Sequence, residues 1–264
     1  MRLHLVDGTY ELFRAHYSKA PDRPLKATKG MLQSILALVR DPSERVTHMA
    51  VAFDNPIRSF RNSLFAGYKT EAGVDRKLLA QFDGAERAVR NAGIVVWSMG
   101  KFEADDALAT AAARFAPKVA QVRIFTPDKD LGQCIVGKKV VQVDRMRERE
   151  YDEQALVARR GVRPASIPDW LALIGDDADG IPGLDGFGEK SASALLARFG
   201  RLEAIPEDAR RWPRGVRGAD RLAGILKRDR AKALLYRTLT RLRRDVPLRE
   251  TLNELRVKAS TRLK

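Results

Sequence analysis

The sequence predicts an α/β fold, with a mostly parallel sheet flanked by helices, followed by a C-terminal helical region. Two observations favour this fold class. The first 150 residues alternate short strand-like apolar runs with helix-like segments, which is typical of a parallel sheet with crossover helices. Beyond Tyr151 the strand-like runs stop, and helix-like segments follow one another between turns rich in Gly and Pro. We therefore expect an α/β domain at 1–150 and a helical region at 151–264.

The individual elements follow from apolar runs and apolar spacing along the chain. Strands are predicted at about 2–6, 47–53, 93–97, 120–126 and 139–144. Helices are predicted near 29–40, 76–92 and 104–116 in the first domain, and at 153–175, 189–199 and 220–244 in the second. The first of these helices shows the three- and four-residue apolar spacing of an amphipathic helix, at Leu32, Ile35, Leu36 and Val39.

Composition predicts a globular protein. Of 264 residues, 44% are hydrophobic, which is enough for a sizeable core. No apolar run approaches the roughly 20 residues that cross a bilayer, and Asp7 follows the first residue too closely for a signal peptide. We expect a soluble, cytoplasmic protein without a membrane partner. Cys134 is the only cysteine, which excludes an internal disulfide and a multi-cysteine zinc site.

Positive charge is concentrated at the end of the chain. The protein carries a formal net charge of +15. Residues 201–264 hold 19 basic and 8 acidic side chains, a net charge of +11. Such a region predicts a polyanionic partner, because neutralising DNA or RNA phosphates releases counterions and drives binding without sequence preference. The alternative is a solvated basic surface in an arginine-rich protein.

A series of carboxylates is the most informative feature of the first two thirds of the chain. Its members are Asp7, Asp54, Glu103, Asp105, Asp106, Asp128, Asp130, Asp176 and Asp179. Three of the groups follow predicted strands, so their side chains would meet at the carboxyl edge of a parallel sheet. Crowded carboxylates raise one another's pKa values, and a hard cation relieves that repulsion. All-oxygen ligands favour Mg²⁺ or Mn²⁺, and two such ions suit phosphodiester cleavage.

Two of the acid groups also have a plain structural interpretation. The acids at 103–106 would stabilise the start of a helix through its macrodipole, and the Asp-x-Asp at 128–130 would suit a solvated loop. Either interpretation is sufficient for one group taken alone. The recurrence of acids in order along the chain favours the metal site.

Closely spaced glycines predict a helix-hairpin-helix motif. Gly183, Gly186 and Gly188 precede a predicted helix that begins near Glu189, and Lys190 follows them directly. Glycines let a backbone approach a phosphate, and the amides at a helix start point toward an anion. Such a hairpin holds one strand's backbone without reading bases. The alternative is an ordinary tight turn between two packed helices.

Basic and aromatic side chains follow the second predicted strand. Arg61 and Lys69 are positioned to meet the scissile phosphate, and Tyr68 to stack on a base. The alternative is a basic amphipathic helix with a buried tyrosine.

These motifs together resemble the 5′ nuclease superfamily. The matching segments are Val6-Asp7-Gly8, Phe53-Asp54, Glu103-Ala104-Asp105-Asp106, Thr126-Pro127-Asp128-Lys129-Asp130-Leu131 and the run from Gly175 to Gly183. The chain is similar to stand-alone bacterial flap endonucleases, bacteriophage 5′ exonucleases and the N-terminal 5′ nuclease domain of bacterial DNA polymerase I. The resemblance implies a PIN-like α/β fold with a short arch around 58–82, a helix-hairpin-helix at about 167–200 that often binds K⁺ in this family, and a monomer.

The resemblance also implies two metal sites. The first matches Asp7, Asp54, Glu103 and either Asp105 or Asp106, and the second matches Asp128, Asp130, Asp176 and Asp179. Lys69 matches the family's arch lysine, and Arg61 matches a basic residue that precedes it. The chain departs from the family at 70–75, where an arginine three residues after the arch lysine is absent, and at Gly180, where asparagine is common.

The function implied is metal-dependent hydrolysis of DNA. We expect 5′-3′ exonuclease and 5′-flap endonuclease activity with two Mg²⁺ or Mn²⁺ ions, the carboxylates acting as ligands and not as general bases. Two other classes stay open. One is a catalytically weak protein that binds DNA structures, which the altered arch motivates. The other is a PIN-type ribonuclease, which the hairpin and the basic end disfavour.

Overall fold

One six-stranded sheet forms the first part of the protein. A computed structural model describes residues 1–263, and the order of strands across the sheet is β3-β2-β1-β4-β5-β6. The strands are β1 (Arg2–Asp7), β2 (His48–Asp54), β3 (Val95–Met99), β4 (Gln121–Phe125), β5 (Val140–Asp144) and β6 (Arg149–Tyr151). The first five are parallel, and β6 pairs antiparallel with β5. The predicted α/β fold with a mostly parallel sheet is confirmed.

Helices cover both faces of the sheet and form the second part of the chain. They are α1 (Gly8–His16), α2 (Lys26–Arg40), α3 (Arg61–Leu64), α4 (Arg76–Leu79), α5 (Phe82–Asn91), α6 (Ala104–Phe115), α7 (Glu153–Arg160), α8 (Ile167–Ile174), α9 (Glu189–Phe199), α10 (Ala219–Thr240) and α11 (Ala259–Leu263). Helices α1, α2 and α5 share a core with one sheet face, and α6 packs on the other. No helix within residues 1–263 has the length and apolarity to span a bilayer.

The second part has a hydrophobic core of its own. Helices α7 to α10 pack around Trp170, whose side chain is fully buried. Its indole N–H donates a hydrogen bond to Ser193 Oγ of α9 at 2.9 Å. Burying a large aromatic ring together with its polar group stabilises the α8–α9 pair. That pair holds the loop between the two helices in place.

Two predicted helices are interrupted, and the structure has further elements that were not predicted. The helix predicted at 153–175 breaks at Gly161, which takes a left-handed backbone at φ 71°, and Pro164 follows it. The helix predicted at 76–92 divides into α4 and α5 at Ala80 and Gln81. The predicted elements did not include α1, which Asp7 caps by accepting a hydrogen bond from the Tyr10 N–H, the three-residue strand β6 or the C-terminal helix α11.

The chain beyond α10 returns to the sheet. Leu242, Val246 and Leu248 pack in the same core as α6. The Val257 N–H donates a hydrogen bond to the Thr47 carbonyl at 3.0 Å. Residues after Thr240 therefore cover the α/β part, so the region beyond 151 is not purely helical. The division at 150 and 151 stays a prediction.

Candidate functional site

Three neighbouring parallel strands bring acids to one edge of the sheet. Asp7 ends β1, Asp54 ends β2, and Asp128 lies three residues beyond β4. Because β2, β1 and β4 are adjacent and parallel, their carboxyl ends meet at that edge. Two threonines hold the acids there. The Asp54 N–H donates to Thr9 Oγ1 at 2.8 Å, and Thr126 Oγ1 donates to Asp7 Oδ2 at 3.0 Å.

An acid-lined cleft of about 340 Å³ opens at this edge. Its charged lining residues are Asp7, Asp54, Asp105, Asp128, Asp176, Asp179, Lys69 and Lys129. Six predicted acids therefore meet in one place. Glu103 lines a smaller adjoining cavity next to Asp54, and Asp130 is buried at 4% exposure behind the cleft. Asp106 lies elsewhere.

The cleft carboxyls are strongly perturbed. Burial, together with the charge of Asp54, raises the pKa of Asp7 to about 7. Burial and the charge of Asp179 raise the pKa of Asp128 to about 6. Burial and neighbouring acids also raise the pKa values of Asp105 and Asp130 well above their ordinary range. This is the behaviour of carboxylates that lack sufficient compensating positive charge.

The start of α6 directs two adjacent acids in opposite directions. The Ala104 N–H donates to Asp54 Oδ1 at 2.7 Å, which ties the helix start to β2. Asp105 faces the cleft. Asp106 is fully buried on the other side, where it accepts hydrogen bonds from the Glu103 and Arg243 N–H groups. Successive helical residues are rotated by about 100° around the helix axis, so the Asp105 and Asp106 carboxylates lie in different environments.

Arg61 is a buried structural partner, which corrects the expectation that it faces the cleft. Its side chain is 1% exposed, and its two terminal nitrogens each donate to Asp106 at 2.7 Å. Its Nε donates to the Leu239 carbonyl at 2.6 Å. The same ion pair removes Asp106 from the set of acids that line the cleft. A bidentate, desolvated pair of this kind leaves the guanidinium few donors for a phosphate.

Tyr68 is also buried, which corrects the expectation that its ring stacks on a base. It is 3% exposed and packs in the core around Trp170. Its hydroxyl donates to Glu103 Oε2 at 3.1 Å. Of the two interpretations offered by the sequence, the buried tyrosine describes its placement.

Lys69 reaches the cleft from a segment that is hydrogen-bonded to the loop after α8. Its backbone N–H donates to the Asp179 carbonyl at 3.0 Å. Its ammonium lies 2.8 Å from Asp179 Oδ1 and 3.2 Å from Glu103 Oε2. Burial lowers the pKa of Lys69, but these acids outweigh it and hold the pKa well above the usual value. Nearby, Gly180 has φ 71° and lies against Gly67, where a Cβ would overlap the Gly67 carbonyl.

Lys129 also lines the cleft, although it was not among the predicted site residues. Its ammonium lies 2.8 Å from Asp176 Oδ2. The signal was available, because Lys129 lies between the two acids of the Asp-x-Asp segment. Two ammonium groups thus partly neutralise the cleft.

The carboxylate oxygens of the cleft are the type of ligand that a hard cation prefers. Within residues 1–263, no three His, Cys, Asp or Glu side chains lie close enough together to hold a metal ion in this arrangement. Lys69 and Lys129 instead form ion pairs with Asp179 and Asp176 of the cleft. Asp130 Oδ1, however, is buried without a hydrogen-bond partner. A buried carboxylate oxygen without a donor is costly unless a cation compensates it. Carboxylate oxygens are the ligands that Mg²⁺ and Mn²⁺ prefer.

The predicted hairpin glycines lie in the loop between α8 and α9. Gly183 has φ 70°, and a Cβ there would overlap the backbone of Gly175, so only glycine fits. Gly186 and Gly188 line a separate surface cavity of about 630 Å³, together with exposed Lys190. The loop before α10 contributes Gly215 and Arg217 to the same cavity. Gly183 shapes the turn, and the other predicted hairpin residues face solvent.

Comparison with known proteins supports one family across almost the whole chain. The model of the 5′-3′ exonuclease N-terminal resolvase-like domain matches residues 2–161. The model of the 5′-3′ exonuclease C-terminal SAM fold matches residues 162–262. A 5′-3′ exonuclease of Aquifex aeolicus is 31% identical over 218 residues, which cover 80% of this chain and 74% of that protein.

Two further matches extend this likeness. The DNA polymerase I of Mycobacterium leprae is 31% identical over 97% of this chain, although the chain spans only 28% of the polymerase's length. The T5 D15 protein, crystallised with metal ions, has the same fold, with a TM-score of 0.71 at 19% identity over 91% of this chain and 89% of that one. From the two family models and the Aquifex relative, we conclude that the chain belongs to the 5′-3′ exonuclease family.

Proposed function

We propose that the protein is a structure-specific 5′ nuclease that hydrolyses phosphodiester bonds of DNA. It acts as a 5′-3′ exonuclease and as an endonuclease on 5′ flaps. The observation that carries this proposal is the cleft in which acids from three strand ends, from α6 and from the loop after α8 meet. Family membership supports the reaction class. The name of the Aquifex relative supports the 5′-3′ polarity, and the chain spans only 28% of the length of the polymerase relative.

The acids divide into two candidate ion sites. Asp7, Asp54, Glu103 and Asp105 would hold one divalent ion, and Asp105 is preferred to Asp106 because Arg61 already occupies both Asp106 oxygens. The second ion would be held by Asp128, Asp130, Asp176 and Asp179. When bound, Mg²⁺ or Mn²⁺ lowers the pKa of water and stabilises charge on the phosphate and the leaving oxygen. The unpartnered Asp130 oxygen supports this assignment.

Lys69 and Lys129 contribute charge that can be transferred to the substrate. Each ammonium now bonds cleft acids, at 2.8 Å to Asp179 and 2.8 Å to Asp176. Once cations neutralise those acids, the ammonium groups are available to donate hydrogen bonds to phosphate oxygens. Such donors stabilise charge that develops in the transition state. Lys69 is 25% exposed and Lys129 is 38% exposed, so both side chains are accessible from the cleft.

The hairpin cavity holds duplex backbone at a distance from the chemistry. Gly186 and Gly188 let a phosphate approach the amides at the start of α9, and Lys190 adds a point charge. Backbone carbonyls of the hairpin loop at 183–188 would hold a K⁺ ion, which would add positive charge for that phosphate. These contacts read no bases, which suits selection by DNA structure. We further propose that the protein works as a monomer in the cytoplasm. Light scattering at working concentration tests the oligomeric state, and cell fractionation tests the location.

Cleavage of a labelled 5′-flap duplex tests the proposal. The same protein is assayed with Mg²⁺, Mn²⁺ or EDTA, beside a matching 3′-flap duplex and a matched RNA flap. Metal-dependent cutting of the 5′ DNA flap alone is the expected result. Binding without cutting would identify a DNA-structure binding protein, and preferential cutting of the RNA flap would identify a ribonuclease.

A further inference from the structure

A second groove, rich in arginine, lies between the start of α3 and the chain that leaves α10. Its volume is about 610 Å³. It is lined by Phe60, Gln133, Pro168, Arg241, Arg243 and Arg244, among others. None of its lining residues lines the acid cleft or the hairpin cavity. The groove is therefore a surface that the proposed chemistry and duplex grip do not use.

Two arginines of the groove carry charge that no carboxylate compensates. Arg243 pairs with Asp245 at 2.6 Å. Among the described residues Arg244 donates only to the Gln133 carbonyl, at 2.8 Å, and Arg241 is exposed. Neither Arg241 nor Arg244 forms an ion pair with any acid within residues 1–263. Free guanidinium groups on a concave surface attract phosphates.

The basic surface continues beyond this groove. A neighbouring cavity of about 490 Å³ shares Arg241 and adds Arg201 and Phe199. Arg237 lies between the two cavities, where Asp169 and Glu203 neutralise it. An extended polyanion, more than a single phosphate ion, fits a surface of this length.

An aromatic ring, that of Phe60, lies at the groove. Phe60 is partly exposed, and Phe102 holds its ring in an edge-to-face contact at 6.1 Å. The Arg243 guanidinium lies 5.9 Å from the ring centre. The Arg61 guanidinium also lies over the ring, 4.7 Å from its centre, so the partly exposed remainder of the ring is where an unpaired base would stack. Bases inside a duplex are not available to such a ring.

The groove lies close to Glu103, which lines the small cavity that adjoins the cleft. Arg61 separates the two, because its Nη2 donates to the Arg241 carbonyl at 3.3 Å while its Nη1 lies 3.2 Å from Glu103 Oε1. One buried side chain therefore separates the groove from an acid of the first candidate ion site.

We propose that this groove binds the single-stranded part of the DNA substrate, with phosphates on Arg241 and Arg244 and a base on Phe60. The choice of strand rests on the proposed function. The groove itself makes the protein prefer flap-bearing DNA to the same duplex without a flap.

The test compares binding of three DNA ligands in EDTA, where no cleavage occurs. The ligands are a nicked duplex, the same duplex with a 5′ flap, and oligothymidine, each followed by fluorescence anisotropy at several salt concentrations. The double variant Arg241→Ala/Arg244→Ala should lose about tenfold in affinity for the flapped duplex and for oligothymidine. Losing two single-strand phosphate contacts should also lower the slope of log K against log salt by about 1.4. The nicked duplex should bind within twofold of wild type.

The matched control is Arg40→Ala/Arg87→Ala. Both are exposed arginines, on α2 and α5, and those helices pack on the sheet face opposite α6. This control should bind all three ligands as wild type does. A further variant, Phe60→Leu, should weaken oligothymidine binding about tenfold without changing the salt slope, because stacking is lost and no charge is removed.

Two results would overturn the proposal. An equal loss on flapped and nicked duplexes would mean that the groove holds duplex. Unchanged binding of all three ligands would mean that it holds no DNA. Either result leaves wild-type cleavage of 5′ flaps untouched, so failure of this proposal is distinguishable from failure of the proposed nuclease activity.

Discussion

The cleft and the buried pair behind it use the same residue types in opposite ways. In the pair, Arg61 offers two donors to the two oxygens of Asp106, both at 2.7 Å, and charge is matched. In the cleft, one position away along α6, Asp105 faces five other acids and only two lysines. Matched buried charge holds the fold together, while the two lysines compensate the cleft acids only in part. Separate measurements of stability and cleavage should tell the two regions apart.

Breaking the pair should give the largest effect on stability. Arg61→Ala leaves Asp106 buried without its partner, which costs about 3–5 kcal/mol of unfolding free energy. Urea unfolding in EDTA measures the loss. Asp105→Asn is the matched neighbour and should leave stability unchanged or raise it, because burial already disfavours the charged form of Asp105. Equal losses of unfolding free energy in both variants would contradict the proposed difference between the buried pair and the cleft.

Removing one cleft acid should affect cleavage and not binding. Asp128→Asn keeps an acceptor for the Asp130 N–H but weakens the second candidate ion site. Changes around metal ligands commonly cost 10- to 100-fold, so loss of a direct ligand should cost about 100-fold or more in cleavage rate. Single-turnover rates and affinity for a flap substrate separate the two steps. The control, Asp177→Asn, alters an exposed acid next to Asp176 and should cleave normally.

The pH dependence of metal-free stability should sharpen the comparison. The pKa of Asp7 is raised to about 7 and that of Asp128 to about 6, so between about pH 4 and 7 the folded state binds more protons than the unfolded state. Unfolding free energy in EDTA should therefore fall as pH rises through this window, by at most about 1.4 kcal/mol per pH unit for each such carboxyl. Urea unfolding at pH 5 and 7.5 measures the fall. Asp128→Asn should reduce it, and a rise in stability with pH would contradict the assignment.

The hairpin should give the smallest effect. Lys190 is exposed and contributes one charge, so Lys190→Ala should weaken duplex binding a few-fold. The slope of log K against log salt should fall by about 0.9, as expected for one phosphate contact. The rate at which the bound complex cleaves the substrate should not change. A large loss of that rate would mean that the hairpin also positions the scissile bond.

The sequence was sufficient to predict the site residues whose positions depend on local pattern. Asp7 and Asp54 end predicted strands, and parallel pairing alone brings strand ends to one edge. It was insufficient where tertiary packing decides. Asp105 and Asp106 are indistinguishable until Arg61, 45 residues away from Asp106, is found against one of them. Tyr68 follows the same rule, because its burial depends on the core around Trp170 in the second part of the chain.

Counting bound ions tests the central claim most directly. Calorimetric titration of the wild type with Mn²⁺ should give two ions per chain, with fewer for Asp128→Asn and two for Asp177→Asn. Arg61→Ala, under conditions in which it remains folded, should still bind ions because the pair is not part of the candidate sites. A wild type that binds no divalent ion, or an Asp128→Asn variant that binds as the wild type does, would contradict the assignment of the cleft acids as metal ligands.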